Sequence, residues 1–346
     1  MGFVANKRIL LRLPNWLGDA IMASPLFYTL KALYPNARFI LVGTKMGCEL
    51  FEKDKQVDSV FIDESKKAPL RLLATYKLAK QIGKCDLAIT LTNNLYSAFL
   101  LYSTKSPIRI GFAKNLRSFL LTHAIKKAPK DYHQVERYCF LLSQYLKQDL
   151  DRKALLPLNL PIDLPTKSPN LTKKIGFSPS ASYGSAKRWP RAYYAQVASA
   201  LLEYEHEVYF FGAQADFSIA EEILSLTKSQ LKTPHLINNA HNLCGKTSIE
   251  ELVKQIASLD LFITNDSGPM HVSASVKTPL IALFGPTDAN ETSPWRAKNA
   301  ILLNHSLPCA PCKQRICPLN GEANHLCMRS IKPEEVLTHA FKILSK

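Results

Sequence analysis

Leu261-Phe262-Ile263-Thr264-Asn265-Asp266-Ser267-Gly268-Pro269-Met270-His271 is the stretch that decides how this chain folds. An apolar strand pattern ends in a short polar turn, and an amphipathic segment follows to Val276. A strand feeding a helix through such a turn presents backbone N–H groups with no intrahelical partner, at the positive end of the helix dipole. That combination suits phosphate or another anion. The turn points to an α/β protein that takes a nucleotide or sugar-nucleotide, provided the rest of the chain agrees.

The alternation recurs along the whole chain. Residues 8–13, 38–43, 59–63, 87–91 and 108–112 read as strands, with helical stretches over 20–33, 70–82, 95–102 and 132–146. Pro157, Pro161, Pro165 and Pro169 then crowd a short stretch, where they disfavour helix and central strand and mark a linker. Beyond it, strands are expected at 174–179, 207–212, 261–264 and 280–285, and helices at 191–203, 217–226 and 333–344. Thr247-Ser248-Ile249-Glu250 reads as a capping box opening the helix to Ser258. Repeated βα units imply parallel sheets covered on both faces. The expected organisation is two Rossmann-like domains, 1–165 and 166–330, and a C-terminal helix at 331–346 packing back on the first. Two such domains on a hinge place their ligand between the carboxyl ends of the sheets.

A chain of 346 residues exceeds the usual single core, in keeping with two domains. No apolar run reaches the ~18 residues of a membrane span. Ile9-Leu10-Leu11 is cut short by Arg12, so no secretory signal is read and a cytoplasmic location is expected. Formal net charge is +16, and it is unevenly placed. Residues 1–165 hold 25 basic and 13 acidic side chains, against 19 and 15 in the remainder. Between 87 and 130 there is no acid at all, while Lys105, Arg109, Lys114, Arg117, Lys126, Lys127 and Lys130 fall there. Such a field attracts nucleic acid, an anionic membrane face or a phosphorylated substrate, although a merely solvated basic face is the plainer reading.

Three loops carry chemistry. Leu13-Pro14-Asn15-Trp16-Leu17-Gly18-Asp19 follows the first strand and is neither a dinucleotide-binding glycine turn nor a P-loop. It offers one carboxylate, Asp19, at a helix start, suited to capping that helix or to acting as a general base at a strand end. Ser178-Pro179-Ser180-Ala181-Ser182-Tyr183-Gly184-Ser185-Ala186-Lys187-Arg188-Trp189-Pro190 mixes hydroxyls, glycine and two cations, which is what phosphate oxygens want. His271 lies near the first helical turn after Gly268, within reach of the same anion. Pro286-Thr287-Asp288 closes the next strand as a further wall or a simple turn.

Pro14-Asn15-Trp16-Leu17-Gly18-Asp19, Tyr183-Gly184-x-Ala186-Lys187-Arg188-Trp189-Pro190, the 265–271 turn and Phe284-Gly285-Pro286-Thr287 together resemble the ADP-heptose:lipopolysaccharide heptosyltransferases. Within that family the chain is most similar to the members that add the second heptose. The resemblance spans nearly the whole chain, with the motifs in order. It implies a GT-B fold, two Rossmann-like domains facing each other across a cleft. It further implies metal-independent, inverting transfer from ADP-heptose to the first heptose of the inner core, with no cofactor. Its catalytic aspartate falls on Asp19 and its phosphate-contacting lysine on Lys187. The nucleotide-sugar turn falls on Asp266, Ser267, Gly268 and His271, with Ser180, Ser182 and Arg188 as further donor contacts. Asn15, Trp16, Arg109 and Arg117 are the expected acceptor contacts. The implied acceptor is a phosphorylated, Kdo-bearing lipid A core at the cytoplasmic face of the inner membrane, which accounts for the basic half and leaves no role for nucleic acid. One departure stands out: Ala213-Gln214-Ala215-Asp216 replaces the loop the family often carries after the Gly212 strand.

Rival readings are transfer to Kdo or a later core sugar, a sugar-nucleotide epimerase, and a zinc-bearing nucleic-acid-binding protein using residues 105–130. The last would draw on Cys309-x2-Cys312-x4-Cys317-x9-Cys327, part of a set of eight cysteines. Cys309-x2-Cys312 is a zinc half-site, but the second pair is spaced too widely for a standard ribbon. Reduced thiols packing a loop are the preferred reading, with no catalytic part.

Overall fold

The computed structural model describes residues 7–166 and 171–345, so Pro169 of the linker and the final Lys346 lie outside the described residues. The chain divides into two compact units, Met1–Ile162 and Asp163–Lys346.

In the first unit the strands are β1 (Arg8–Arg12), β2 (Arg38–Gly43), β3 (Val57–Ile62), β4 (Leu87–Thr90), β5 (Ile108–Phe112) and β6 (His123–Ile125). They form one parallel sheet in the order β3-β2-β1-β4-β5-β6. Its helices are α1 (Leu17–Met22), α2 (Ser24–Leu33), α3 (Lys45–Glu49), α4 (Arg71–Ile82), α5 (Leu95–Ser103) and α6 (Gln134–Tyr145). Ile9, Leu10 and Leu11 of β1 and Phe39, Ile40, Leu41 and Val42 of β2 are all at 0% exposure. Unbroken apolar runs of this kind belong to strands covered on both faces.

The second unit holds β7 (Lys174–Ser178), β8 (Glu207–Phe210), β9 (Ala240–Asn242), β10 (Leu261–Asn265), β11 (Leu280–Phe284) and β12 (Ala300–Asn304), again one parallel sheet, in the order β12-β11-β10-β7-β8-β9. Its helices are α7 (Arg191–Leu202), α8 (Phe217–Gln230), α9 (Ile249–Ser258), α10 (Gly268–Ser275), α11 (Ala289–Thr292), α12 (Leu326–Arg329) and α13 (Pro333–Leu344). Numbered within its own unit, each sheet runs 3-2-1-4-5-6. Strand order therefore reverses direction between β1 and β4 and between β7 and β10, and in open α/β sheets ligands bind at the carboxyl ends of such a pair.

Several local expectations shift. The single helix expected over 20–33 is broken at Ala23, because Pro25 has no N–H to offer the preceding turn. The capping box sits one residue on: Ser248 caps α9, and its partner is Glu251, whose carboxylate accepts from the Ser248 N–H at 2.7 Å. β6 and β9 were not legible, being three-residue edge strands without an apolar run, and β12 was passed over although its half-exposed edge strand carries the run Ala300-Ile301-Leu302-Leu303. The C-terminal helix, expected as a separate segment, lies within the second unit. α13 packs on α7, and its Val336 and Ala340 belong to the core of the second unit.

Candidate functional site

In the first unit, β1 delivers the chain to Asn15, Trp16 and Asp19 at the carboxyl edge of the sheet. Arg12, at the last position of β1 and 4% exposed, anchors that loop. It pairs with Asp63 at 2.9 Å and donates to Asn15 Oδ1 at 3.0 Å. Burial pushes the Asp63 carboxyl up, but the Arg12 charge and hydrogen bonds from Ser65 and Arg12 outweigh it and leave it lowered. Trp16 is the N-cap position of α1 and half exposed. Asp19 lies in the first turn of α1, where the dipole favours a negative charge. It is part-buried, and the Tyr138 hydroxyl of α6 donates to its Oδ1 at 3.4 Å. Tyr138 is itself buried, and burial followed by the Asp19 charge holds its phenol well above the ordinary value.

Arg109 and Arg117, expected as acceptor contacts, are both engaged with the protein's own main chain. Arg109 gives Nη1 to the Ser106 carbonyl at 2.6 Å and Nε to the Leu120 carbonyl at 2.9 Å. Arg117 is at 0% exposure and binds the carbonyls of Phe112 and Thr92, Ser97 Oγ and Asn93 Oδ1. Burial pushes its guanidinium down to about 10. Arg117 ties together the loops after β4 and β5, while Arg109 joins the turn entering β5 to the loop leaving it.

In the second unit, β7 and β10 pair in register with Ser178 opposite Thr264, so the loops that follow them emerge side by side. Asn265, at 0% exposure, joins those loops. Its Oδ1 accepts from the Trp189 N–H at 3.2 Å and the Tyr194 hydroxyl at 3.0 Å, and its Nδ2 donates to the Pro179 carbonyl at 2.8 Å. Sequence reasoning passed over Asn265; its place at the last residue of the strand, directly before Asp266, was the available signal. Lys187 Nζ meets Asp266 Oδ2 at 2.6 Å and lies 4.9 Å from the centre of the Tyr183 ring. Asp266 also accepts from Thr287 Oγ1 at 2.7 Å and Thr292 Oγ1 at 3.4 Å. Thr287 thus has a defined part, beyond closing a turn.

Ser267 caps α10 with extended backbone, and its hydroxyl turns to Thr264 Oγ1 at 3.1 Å instead of to the helix. The first N–H groups of α10 are consequently not closed by a side-chain cap. Gly268 opens the helix, and His271 within it is 3% exposed. Arg188 Nε is buried with no hydrogen-bond partner among the described residues, an open donor beside the same loop. Ser180 is buried and donates to Asp216, which makes the divergent 213–216 loop part of the donor loop's support. Ser182 is exposed.

The cysteine segment braces this loop from the outside. The Arg315 carbonyl accepts from the Ala186 N–H at 3.0 Å, and the Lys313 carbonyl from the Tyr183 hydroxyl at 2.7 Å. A Cβ on Gly184 would stand 2.1 Å from the Arg315 carbonyl oxygen, so only glycine fits. Cys309, Cys312, Cys317 and Cys327 are free thiols lining one cavity of about 60 Å³ beside Ala186 and Pro286. Burial, then the three neighbouring thiols, pushes Cys327 up to about 11. Among the described residues, no three His, Cys, Asp or Glu side chains are arranged to hold a metal ion.

The family model of glycosyltransferase family 9 (heptosyltransferase) matches residues 75–322. The chain is 38% identical over 339 residues to lipooligosaccharide heptosyltransferase 2 of Campylobacter jejuni, covering 97% of this chain and 99% of that one. It is 30% identical over 311 residues to lipopolysaccharide heptosyltransferase 2 of Escherichia coli K12, covering 85% and 87%. The solved E. coli ADP-heptose lipopolysaccharide heptosyltransferase II superposes with a TM-score of 0.79 at 27% identity, over 97% and 98% of the two chains. An E. coli heptosyltransferase with ADP, at 16% identity and a TM-score of 0.74 over 97% and 99%, shares the fold.

Proposed function

The chain belongs to glycosyltransferase family 9, the heptosyltransferases, with the GT-B fold, and we propose that it transfers heptose from ADP-heptose to the first heptose of the lipopolysaccharide inner core. The first unit takes the acceptor and the second the donor. Asp19 accepts the proton of the attacking hydroxyl as that oxygen bonds to the anomeric carbon with inversion. The bond from that carbon to the diphosphate breaks, and negative charge grows on the departing ADP. Lys187, Arg188 and the open N–H groups of α10 stabilise that charge. Asp266 holds Lys187 in place before the donor arrives, and Asn265 holds both loops.

The observation that carries this reading is the Lys187–Asp266 pair at 2.6 Å, set at the β7/β10 reversal beside an uncapped helix start. The reaction belongs at the cytoplasmic face of the inner membrane, where a lipid A-anchored acceptor is presented. No helix among the described residues is long and apolar enough to cross a membrane.

The test is incubation with ADP-heptose and defined cores carrying zero, one or two heptoses. Transfer only to the one-heptose core is expected; transfer to the heptose-free core overturns the assignment. Asp19→Ala is expected to lower kcat roughly 100- to 10,000-fold with donor affinity kept. Near-normal turnover in that variant would remove Asp19 from the mechanism.

A further inference from the structure

The carboxyl edge of the first sheet carries large apolar side chains in water that the transfer chemistry does not use. Leu116 is 93% exposed and Phe119 76%, both on the loop after β5. Leu70, 69% exposed, and Leu72, 55% exposed, stand at the start of α4, which follows β3. All strands of this sheet are parallel, so these loops share one edge with the loop after β1 that carries Trp16, itself 51% exposed, and Asp19.

The two apolar clusters are linked. Asn115 Nδ2 donates to the Asn93 carbonyl at 2.7 Å, just ahead of the Asn94 cap of α5. The Arg71 guanidinium of α4 lies 3.8 Å from the centre of the Tyr96 ring of α5. The loop after β5 is also rigidly presented. Buried Arg117 pins it from within, while Asn115 and Leu116 adopt left-handed backbone at φ 55 and 51, turning Leu116 outward. Exposed Lys114 adjoins Leu116, exposed Lys66 and Lys67 precede Leu70, and Lys77 follows on α4. The two acids that precede these lysines, Asp63 and Glu64, are engaged by Arg12 at 2.9 Å and by Lys67 at 2.7 Å. Apolar tips set among lysines match a surface with an anionic rim and a hydrocarbon interior. A nucleic acid would satisfy the lysines and leave the leucines wet.

We propose that this edge is a membrane-docking surface, in which Leu116, Phe119, Leu70 and Leu72 enter the headgroup region of an anionic bilayer while Lys114 and Lys66 pair with lipid phosphates. The inference deepens the reading that the acceptor is lipid-borne, and it places Asp19 on the edge that faces the lipid surface.

The experiment is co-sedimentation of the full chain with vesicles of phosphatidylethanolamine and phosphatidylglycerol, against vesicles of phosphatidylcholine alone. The wild type is expected to partition on the order of tenfold more strongly onto the anionic vesicles, weakening as salt is raised. Leu116→Ser with Phe119→Ser is expected to cut that partition about tenfold or more. Both side chains lie in water, so the melting temperature should stay put, as should turnover of a lipid-free core oligosaccharide. A wild type indifferent to headgroup charge, or a double variant that binds as the wild type does, overturns the proposal. So does a concentration-dependent dimer of the wild type that the double variant abolishes, since the patch would then be a self-interface. The vesicles carry no sugar, so this result stands apart from that of the acceptor series.

Discussion

At the scale of single residues, the sharpest contrast lies between two kinds of cation. Lys187 is 11% exposed and holds a carboxylate that is 5% exposed, at the mouth of a reversal point in the strand order. Lys187→Met leaves Asp266 buried with only threonine hydroxyls, and removing one partner of a buried pair costs about 3–5 kcal/mol when nothing else compensates. Thr287 compensates in part, so the expected loss is at the lower end, read as a fall in melting temperature. Turnover should fall roughly 100- to 1,000-fold, as when one charge-stabilising donor is removed. Arg117 is the opposite case. It looked like an acceptor contact because a run of basic residues says nothing about which way each points. Its partners are mostly main-chain carbonyls, which every sequence supplies, so no neighbouring residue type betrays the burial. Lys187 could be singled out because its loop, with hydroxyls, glycine and a second cation, has a composition that suits phosphate recognition.

At the scale of elements, the strand–turn–helix at 261–275 was readable because an apolar run, a polar turn and a helix start coincide in eleven residues. The brace behind the donor loop was not. Gly184 and Arg315 are far apart in sequence, and no local pattern reports that one carbonyl occupies the space of the other's Cβ. Gly184→Ala must push these segments apart. Overpacking of this kind costs about 1–3 kcal/mol. Because the displaced segment carries Tyr183, Ala186 and Lys187, the expected kinetic signature is a raised KM for ADP-heptose with a smaller change in kcat. Steady-state kinetics with varied donor checks this; an unchanged KM would mean that the brace does not reach the donor.

At the scale of the whole molecule, two sheets with the same strand order place the loops carrying Asp19, Lys187 and Asp266 on carboxyl edges, and each unit has its own core. That much follows from the βα alternation, although the short edge strands and the exact boundary do not. Thiols run through both cores. Burial raises Cys48, Cys139 and Cys244 to about 12 and Cys85 and Cys327 to about 11, from 9.0. An acid held protonated by the folded state contributes stability that is fully present below its unfolded value, and that is lost as pH climbs through the folded one. Denaturant midpoints should therefore hold near neutrality and fall at about pH 10 and above. A midpoint that stays level in alkali would show these thiols to be more hydrated than their burial implies.

The shared strand order has a practical side for spectroscopy. With the proposed chemistry on carboxyl edges, the turns entering the strands from the opposite edge are expected to be silent positions. Lys105, ahead of β5, and Glu205, ahead of β8, are both exposed there, one in each unit. A fluorophore at each would report on the two units through a catalytic cycle while leaving donor, acceptor and lipid undisturbed.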